Sequence, residues 1–221
     1  MTKREILRHV DHTLLKAYAS WEEIQRLCDE AVCYQTASVC VPPCYVKRIH
    51  DTYGEKINIC TVIGFPLGYS TTKAKAAETE QALQDGAAEV DMVINITDVK
   101  NGNFDAVKRE IRTLKEIAGD KILKVIIETC YLTKEEKTAM CHAVTEAGAD
   151  YIKTSTGFGT GGAVLEDILL FKEHIGRNVK IKAAGGVRSL EDMEAFLEAG
   201  CDRIGTSSAV KLIQGQETKG Y

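Results

Sequence analysis

The sequence predicts a single-domain (β/α)8 barrel, the TIM-barrel architecture, on three observations. Short apolar runs rich in β-branched residues alternate with segments of helical period along the whole chain. Strands alternating with helices imply a parallel sheet. Helical segments stop at glycines, namely Gly54, Gly86, Gly119, Gly148, Gly176 and Gly200. The text after three of them, at 86–90, 148–152 and 200–204, is similar, which marks a repeated unit. Eight such units fit 221 residues, a length at which α/β barrels fold as one domain. An open doubly wound sheet is the alternative, but no G-x-G-x-x-G follows the first strand.

Each element has its own signal. Residues 10–14 form the first strand. Ser20-Trp21-Glu22-Glu23 is a capping box that opens a helix through about Glu30. Residues 38–41 are the second strand. Pro42 and Pro43 then start a helix that ends at Gly54, since proline suits a first turn and glycine a stop. Residues 57–65 are the third strand, and Thr71 or Thr72 opens the helix to Gly86. Residues 89–95 are the fourth strand, and Asn103 caps the helix to Gly119. Residues 122–128 are the fifth strand, followed by a second capping box at Thr133 and a helix to Gly148. Residues 151–157 are the sixth strand, with a helix over 164–175. Residues 179–184 are the seventh, and Ser189 opens the helix to Gly200. Residues 203–206 are the eighth, followed by a short helix over 210–213.

Composition removes several function classes. The chain is 44% hydrophobic and 27% charged with net charge −4, which argues against binding bulk nucleic acid or an anionic membrane. No apolar run approaches the roughly 18 residues of a membrane span. Met1 to Glu5 leads into no long apolar core, so no secretory signal is read. The eight cysteines are scattered without C-x-x-C spacing and read as reduced thiols of a cytoplasmic protein. Three prolines and no low-complexity stretch leave no linker. Residues 1–221 are therefore read as one domain with a mobile tail at 214–221. His9, His12, His50, His142 and His174 lack metal-ligand spacing, and no metal or other cofactor is expected.

The chemistry centres on residues 151–157. Strand alternation puts Tyr151, Lys153 and Ser155 on one face. Lys153 has no acidic neighbour in that stretch. Desolvation disfavours the charged form of a lysine, and a neutral amine can form a Schiff base with a carbonyl. The ordinary reading of a lone strand lysine is a side chain that snorkels to solvent. Lys182 changes the balance, because it lies near the C-terminal end of the neighbouring strand. Parallel strands run about 4.8 Å apart, and each ammonium disfavours the other. The alternative is that Lys180 and Lys182, which share a face, both point to solvent. Asp91 lies between Val90 and Met92, where a carboxylate needs a cation or a donor. Across a barrel it faces Lys153 and Lys182, either as a proton relay or as a structural ion-pair partner. Asp11 and Glu128 read as structural, and Lys124 as a paired residue of the barrel's stability face.

The loops at 184–187 and 205–208 follow the seventh and eighth strands, where barrels commonly bind phosphate. Gly185, Gly186, Gly205, Ser207 and Ser208 are the candidate phosphate residues, with Thr156 beside them. Exposed backbone amides and a helix N-terminus favour an anion there, and plain turn chemistry is the alternative. Cys40 points near the same mouth and reads as a buried thiol.

Residues 11–15, 89–95, 124–129, 151–157 and 182–188, taken in order, resemble the deoxyribose-phosphate aldolase family. The resemblance runs from about residue 8 to residue 213. It implies a metal-free class I aldolase on a (β/α)8 barrel. Such an enzyme interconverts 2-deoxy-D-ribose 5-phosphate with acetaldehyde and D-glyceraldehyde 3-phosphate, a step of deoxyribonucleoside catabolism. By resemblance Lys153 is the Schiff-base lysine, Lys182 the lysine that tunes it, and Asp91 the proton-relay carboxylate. The partners implied are sugar phosphate and aldehyde substrates; a homo-oligomer is left open. Phe158 departs from the pattern, since some members carry a lysine there. Phosphate charge then falls to loop backbone and to Arg188. Two other readings compete: a phosphate-binding barrel isomerase, and a non-catalytic sugar-phosphate sensor. The chain closes on Tyr221, whose amphipathic ring ends a tail able to span some 26 Å. That reach makes Tyr221 a candidate for proton transfer at the mouth, against a tail with no role.

Overall fold

The computed structural model describes residues 1–215. Its eight strands are β1 (Val10–Thr13), β2 (Ser38–Val41), β3 (Ile59–Ile63), β4 (Glu89–Val93), β5 (Ile122–Ile126), β6 (Tyr151–Lys153), β7 (Lys180–Ala184) and β8 (Arg203–Thr206). They pair in sequence order into a closed barrel, with every pair parallel. Asp11 on β1 pairs with Gly205 on β8 to complete the ring. Around it lie α1 (Lys3–Leu7), α2 (Trp21–Tyr34), α3 (Val46–Tyr53), α4 (Thr72–Gln84), α5 (Ile96–Lys100), α6 (Phe104–Ala118), α7 (Lys134–Ala147), α8 (Leu165–His174), α9 (Leu190–Ala199) and α10 (Ala209–Ile213).

Alternation sorts the strand side chains into two sets. Val10, Val39, Val41, Val90, Met92, Leu123, Val125, Ile152, Ile181 and Ile204 point out and are buried in the core that the helices cover. The residues between them point into the barrel, and most are polar or charged. The helices start where the sequence offers side-chain caps. Ser20, Thr133 and Ser189 each form a complete capping box with the residue three places on.

Several strands end earlier than expected, and the reasons are local. The sixth strand stops at Lys153 rather than Gly157. Beyond it Thr154 and Thr156 turn their hydroxyls to the Ala184 carbonyl and the Glu128 carboxylate, and Gly157 takes φ +85°. β4 stops at Val93 because Asn95 accepts from the Thr97 amide and caps α5. β5 stops before Glu128, whose backbone is left-handed. β3 is bounded by Gly64 at φ +62°. Two short helices, α1 and α5, went unread because five residues are too few for helical period to show. The Thr2 capping box with Glu5 was the available signal for α1.

Candidate active site

The barrel register assembles the site. It sets Asp91 beside Lys124 and Lys153 beside Lys182. Strand β4 buries Val90 and Met92 outward, which forces Asp91 inward. One oxygen of Asp91, Oδ2, lies 2.7 Å from both Lys153 Nζ and Lys182 Nζ. Its other oxygen accepts from Lys124 Nζ at 2.8 Å and from the Cys60 thiol at 3.1 Å. Lys182 also pairs with Asp11. Asp11 accepts from Ser38 Oγ at 2.7 Å and from Arg203 at 2.5 Å. Glu89 lies 2.5 Å from Lys124 and 3.1 Å from Arg203. Four cations, Lys124, Lys153, Lys182 and Arg203, therefore face three carboxylates, Asp11, Glu89 and Asp91.

Lys153 meets its acidic partner on β4, where Asp91 faces it across the barrel, and the network corrects one expectation. Lys182 is not pushed toward neutrality. Burial disfavours its charge, but Asp11 and Asp91 more than compensate and hold its pKa well above the ordinary lysine value. Lys182 is thus a fixed cation. Burial likewise pushes Asp91 up, yet Lys124, Lys153 and Lys182 hold its carboxyl well below the usual range. Asp11 is depressed against its burial by Lys182, Lys124 and Arg203. Burial lifts the Cys60 thiol well above its ordinary value, which suits its role as donor to Asp91. Lys180 is exposed while Lys182, two residues on, is fully buried.

The buried lysines differ in access. Lys124 and Lys182 are sealed, whereas Lys153 lines a cavity at the C-terminal ends of the strands. Thr156, Gly157, Gly185, Gly186, Arg188, Gly205, Ser207 and Ser208 line the same cavity. The structure therefore brings together all the sequence candidates that fall within the described residues. Gly185 and Gly186 both take positive φ, +82° and +72°, conformations that only glycine adopts freely. The loop after β6 rests on them. Ala163 donates its amide to the Gly185 carbonyl at 3.0 Å, and a Cβ on Gly162 would come within 2.3 Å of that oxygen. After β8, the Thr206 hydroxyl donates to the Val187 carbonyl and accepts from the Ser208 amide. That bond ties the two glycine- and serine-bearing loops together. Phe158 stands at the rim, edge-on to Phe65 with ring centres 5.3 Å apart. Tyr221 lies outside the described residues.

Sequence reading missed the floor of this site. Lys124 is not merely a stability-face residue, because it reaches Asp91 itself. Arg203, Glu89, Ser38 and Cys60 were not singled out, although the first three share strand parity with residues that were: Arg203 with Gly205, Glu89 with Asp91 and Ser38 with Cys40. Two sets of three potential metal ligands fall here, Cys40 with Cys60 and Asp91, and Asp11 with Cys60 and Glu89. Their carboxylates already hold Lys124, Lys182 and Arg203, so a divalent cation would have to displace a buried ammonium or guanidinium. The donor set does not fit a resident metal.

Fold and sequence relatives together define an aldolase of the barrel type, a carbon–carbon lyase. The sequence profile described as "DeoC/LacD family aldolase" matches residues 6–210, and the chain belongs to that family. A deoxyribose-phosphate aldolase of Clostridium botulinum (strain Alaska E43 / Type E3) is 70% identical over 221 residues, covering 100% of both chains. One from Clostridioides difficile (strain 630) is 59% identical over 218 residues, covering 99% of this chain and 100% of that one. The tetrameric deoxyribose phosphate aldolase structure from Aeropyrum pernix superposes with TM-score 0.90 at 31% identity, covering 97% of this chain and 92% of that one.

Proposed function

We propose that this aldolase reversibly cleaves 2-deoxy-D-ribose 5-phosphate to acetaldehyde and D-glyceraldehyde 3-phosphate through a Schiff base on Lys153. The observation that carries the reading is the surplus cation. The interior network balances its charge when one lysine is neutral, and only Lys153 among the three opens on the cavity. The names of the relatives support the substrate.

The steps follow from the positions. Lys153 Nζ in its amine form attacks the sugar carbonyl carbon; the carbinolamine loses water and leaves an iminium. The sugar's C3 hydroxyl gives up its proton, the C2–C3 bond breaks, and its electron pair passes to the iminium as an enamine. D-Glyceraldehyde 3-phosphate leaves. The enamine takes a proton at carbon, and water releases acetaldehyde and the amine. Asp91, 2.7 Å from Lys153, is placed to hold or relay the amine proton, a role worth about 10²–10⁴-fold when well positioned. Lys182 holds the same oxygen of Asp91 at 2.7 Å and fixes its position toward Lys153. The backbone of Gly185, Gly186 and Gly205, with Ser207, Ser208, Thr156 and Arg188, forms the phosphate end.

Borohydride reduction in the presence of acetaldehyde, followed by peptide mapping, tests the reading. An adduct on Lys153 is expected. An isomerase or a sensor gives none, and an adduct on another lysine overturns the assignment. For Tyr221 the expectation is proton transfer at the enamine carbon. Tyr221→Phe should lower kcat at least tenfold with trapping intact, and wild-type turnover removes the role. The eight unpaired thiols support a reducing, cytoplasmic setting, and no described helix is long and apolar enough to cross a membrane. The tetrameric Aeropyrum relative supports a homo-oligomer, which light scattering on the purified chain measures.

A further inference from the structure

Glu128 is a buried carboxylate beside the cavity-lining segment that belongs to no ion pair of the interior network and takes no step in the mechanism. It sits just past β5, and only 2% of it is exposed. Its neighbours continue the barrel pairing: Ile127 donates its amide to the Lys153 carbonyl, and Thr129 donates to the Thr154 carbonyl. Between them Glu128 turns its side chain under the segment that follows Lys153. The Thr156 amide donates to its two oxygens at 3.2 and 3.3 Å, and the Thr156 hydroxyl donates to Oε2 as well. That hydroxyl in turn accepts the Phe158 amide at 3.0 Å. The chain then folds over the carboxylate so closely that a Cβ on Gly159 would lie 3.1 Å from Glu128 Cδ.

Two features make this placement costly to the fold. Glu128 has φ +51°, ψ +67°, the left-handed region that costs a non-glycine residue energy. Among the described residues only Gln35 shares a positive φ without being glycine, and Gln35 is the exposed C-cap of α2, where that conformation is ordinary. Burial also lifts the Glu128 carboxyl above its usual range despite the bonds from Thr156 and the charge of Lys153. A strained backbone under a poorly solvated carboxylate points to a task beyond stability. The held segment shows what that task is. Thr156 and Gly157 line the cavity between Lys153 and the phosphate loops, and Gly157 abuts Gly185, with 3.9 Å between a built Cβ and the Gly185 Cα.

We propose that Glu128 is a positioning residue for the phosphate end of the substrate: its carboxylate fixes Thr156 and Gly157 against the Gly185–Gly186 turn. The inference rests on the aldolase reading above. Its action runs through Thr156, not through Lys153, so binding of the phosphorylated substrate carries the effect.

The test uses Glu128→Ala, Glu128→Gln, Thr156→Val and the Glu128→Ala/Thr156→Val double variant. Retro-aldol kinetics are measured on 2-deoxyribose 5-phosphate and on free 2-deoxyribose, alongside melting temperature and borohydride trapping. Glu128→Ala should raise KM for the phosphorylated sugar at least tenfold and change that for the free sugar less than threefold. Lys153 should still be trapped by acetaldehyde, and the melting temperature should hold or rise. Glu128→Gln keeps the shape and one acceptor oxygen and should lie between Glu128→Ala and wild type. The double variant should be no worse than the poorer single one, because both changes break one linkage. Equal losses on both sugars that follow a falling melting temperature would show a structural carboxylate and overturn the inference, as would an unchanged KM. In both cases trapping of the wild type leaves the aldolase reading standing. A wild type that is not trapped overturns that reading and this inference together.

Discussion

Two buried lysine–carboxylate arrangements in this molecule look alike and do different things. Lys75 on α4 is fully buried, donating to Glu110 on α6 at 2.7 Å and to the Val93 carbonyl at 2.8 Å. Lys153 on β6 donates to Asp91 at the same 2.7 Å. Burial outweighs Glu110 and lowers the pKa of Lys75, while Lys182 beside Lys153 is raised. A depressed lysine is a common mark of a catalytic site, yet here it marks a fastener between helices and the end of β4. What separates the two regions is access and balance. Lys75 pairs with Glu110 and is sealed from solvent, whereas the barrel interior carries one cation too many and opens at Lys153. Perturbation alone does not find the site; a surplus charge facing a cavity does.

Substitutions can break or sharpen this contrast. The largest expected effect is Lys153→Ala, which should abolish cleavage and reductive trapping while circular dichroism stays native. Lys75→Met should do the reverse. Glu110 would be left buried without its cation, at a cost of about 3–5 kcal/mol read from urea denaturation, with near-normal turnover per folded molecule. Activity lost at both lysines, with the fold intact, would erase the distinction.

Lys182→Leu comes next. It removes the fixed cation, so the pH–rate profile should move to higher pH and kcat should fall about 10²-fold. An unchanged profile at near-normal rate counts against the charge argument. Acid titration compares the regions without mutation. Asp11 and Asp91 have folded pKa values below their unfolded ones. Their pairing therefore stabilises fully above about pH 4 and is lost as pH falls through the folded values. The urea midpoint should hold from pH 8 to 5 and drop steeply below pH 4, and the drop should shrink in Asp91→Asn. The smallest effect belongs to the mouth. Gly186→Val should raise KM for the phosphorylated sugar about tenfold more than for free deoxyribose, and equal shifts would remove the phosphate role.

Much of this was legible in the sequence because period is local. Strand position marked Asp91, Lys153 and Lys182 as candidates for the barrel interior, with a solvent-facing alternative for the lysines, and stop glycines marked the repeating unit. What stayed hidden depends on contacts between distant residues. No local pattern says that a single oxygen of Asp91 would meet both Lys153 and Lys182, 62 and 91 residues further on. The mutual depression assigned to Lys153 and Lys182 assumed two lysines alone; Asp11 and Asp91 between them reverse the sign for Lys182. Lys124 read as a paired stability-face residue and Arg203 was not singled out, because the tilt that brings their tips to Asp91 and Asp11 is a property of the closed barrel. The early stop of the sixth strand was equally unreadable, since Glu128 reaches Thr156 from the turn after β5.

The shared oxygen of Asp91 also bears on how such a protein changes over generations. Asp91 Oδ2 serves lysines from two strands, and Asp11 serves a third cation besides. Replacing any one member strands a buried charge on a neighbour, so the step passes through a poorly folding intermediate unless a second change arrives with it. The interior is epistatically locked. The loops after β7 and β8 carry none of these ion pairs, so outside the left-handed Gly185–Gly186 turn a change there strands no buried charge. New substrate preferences in this scaffold should therefore arise at the rim, by drift around a reactive centre that cannot drift with them.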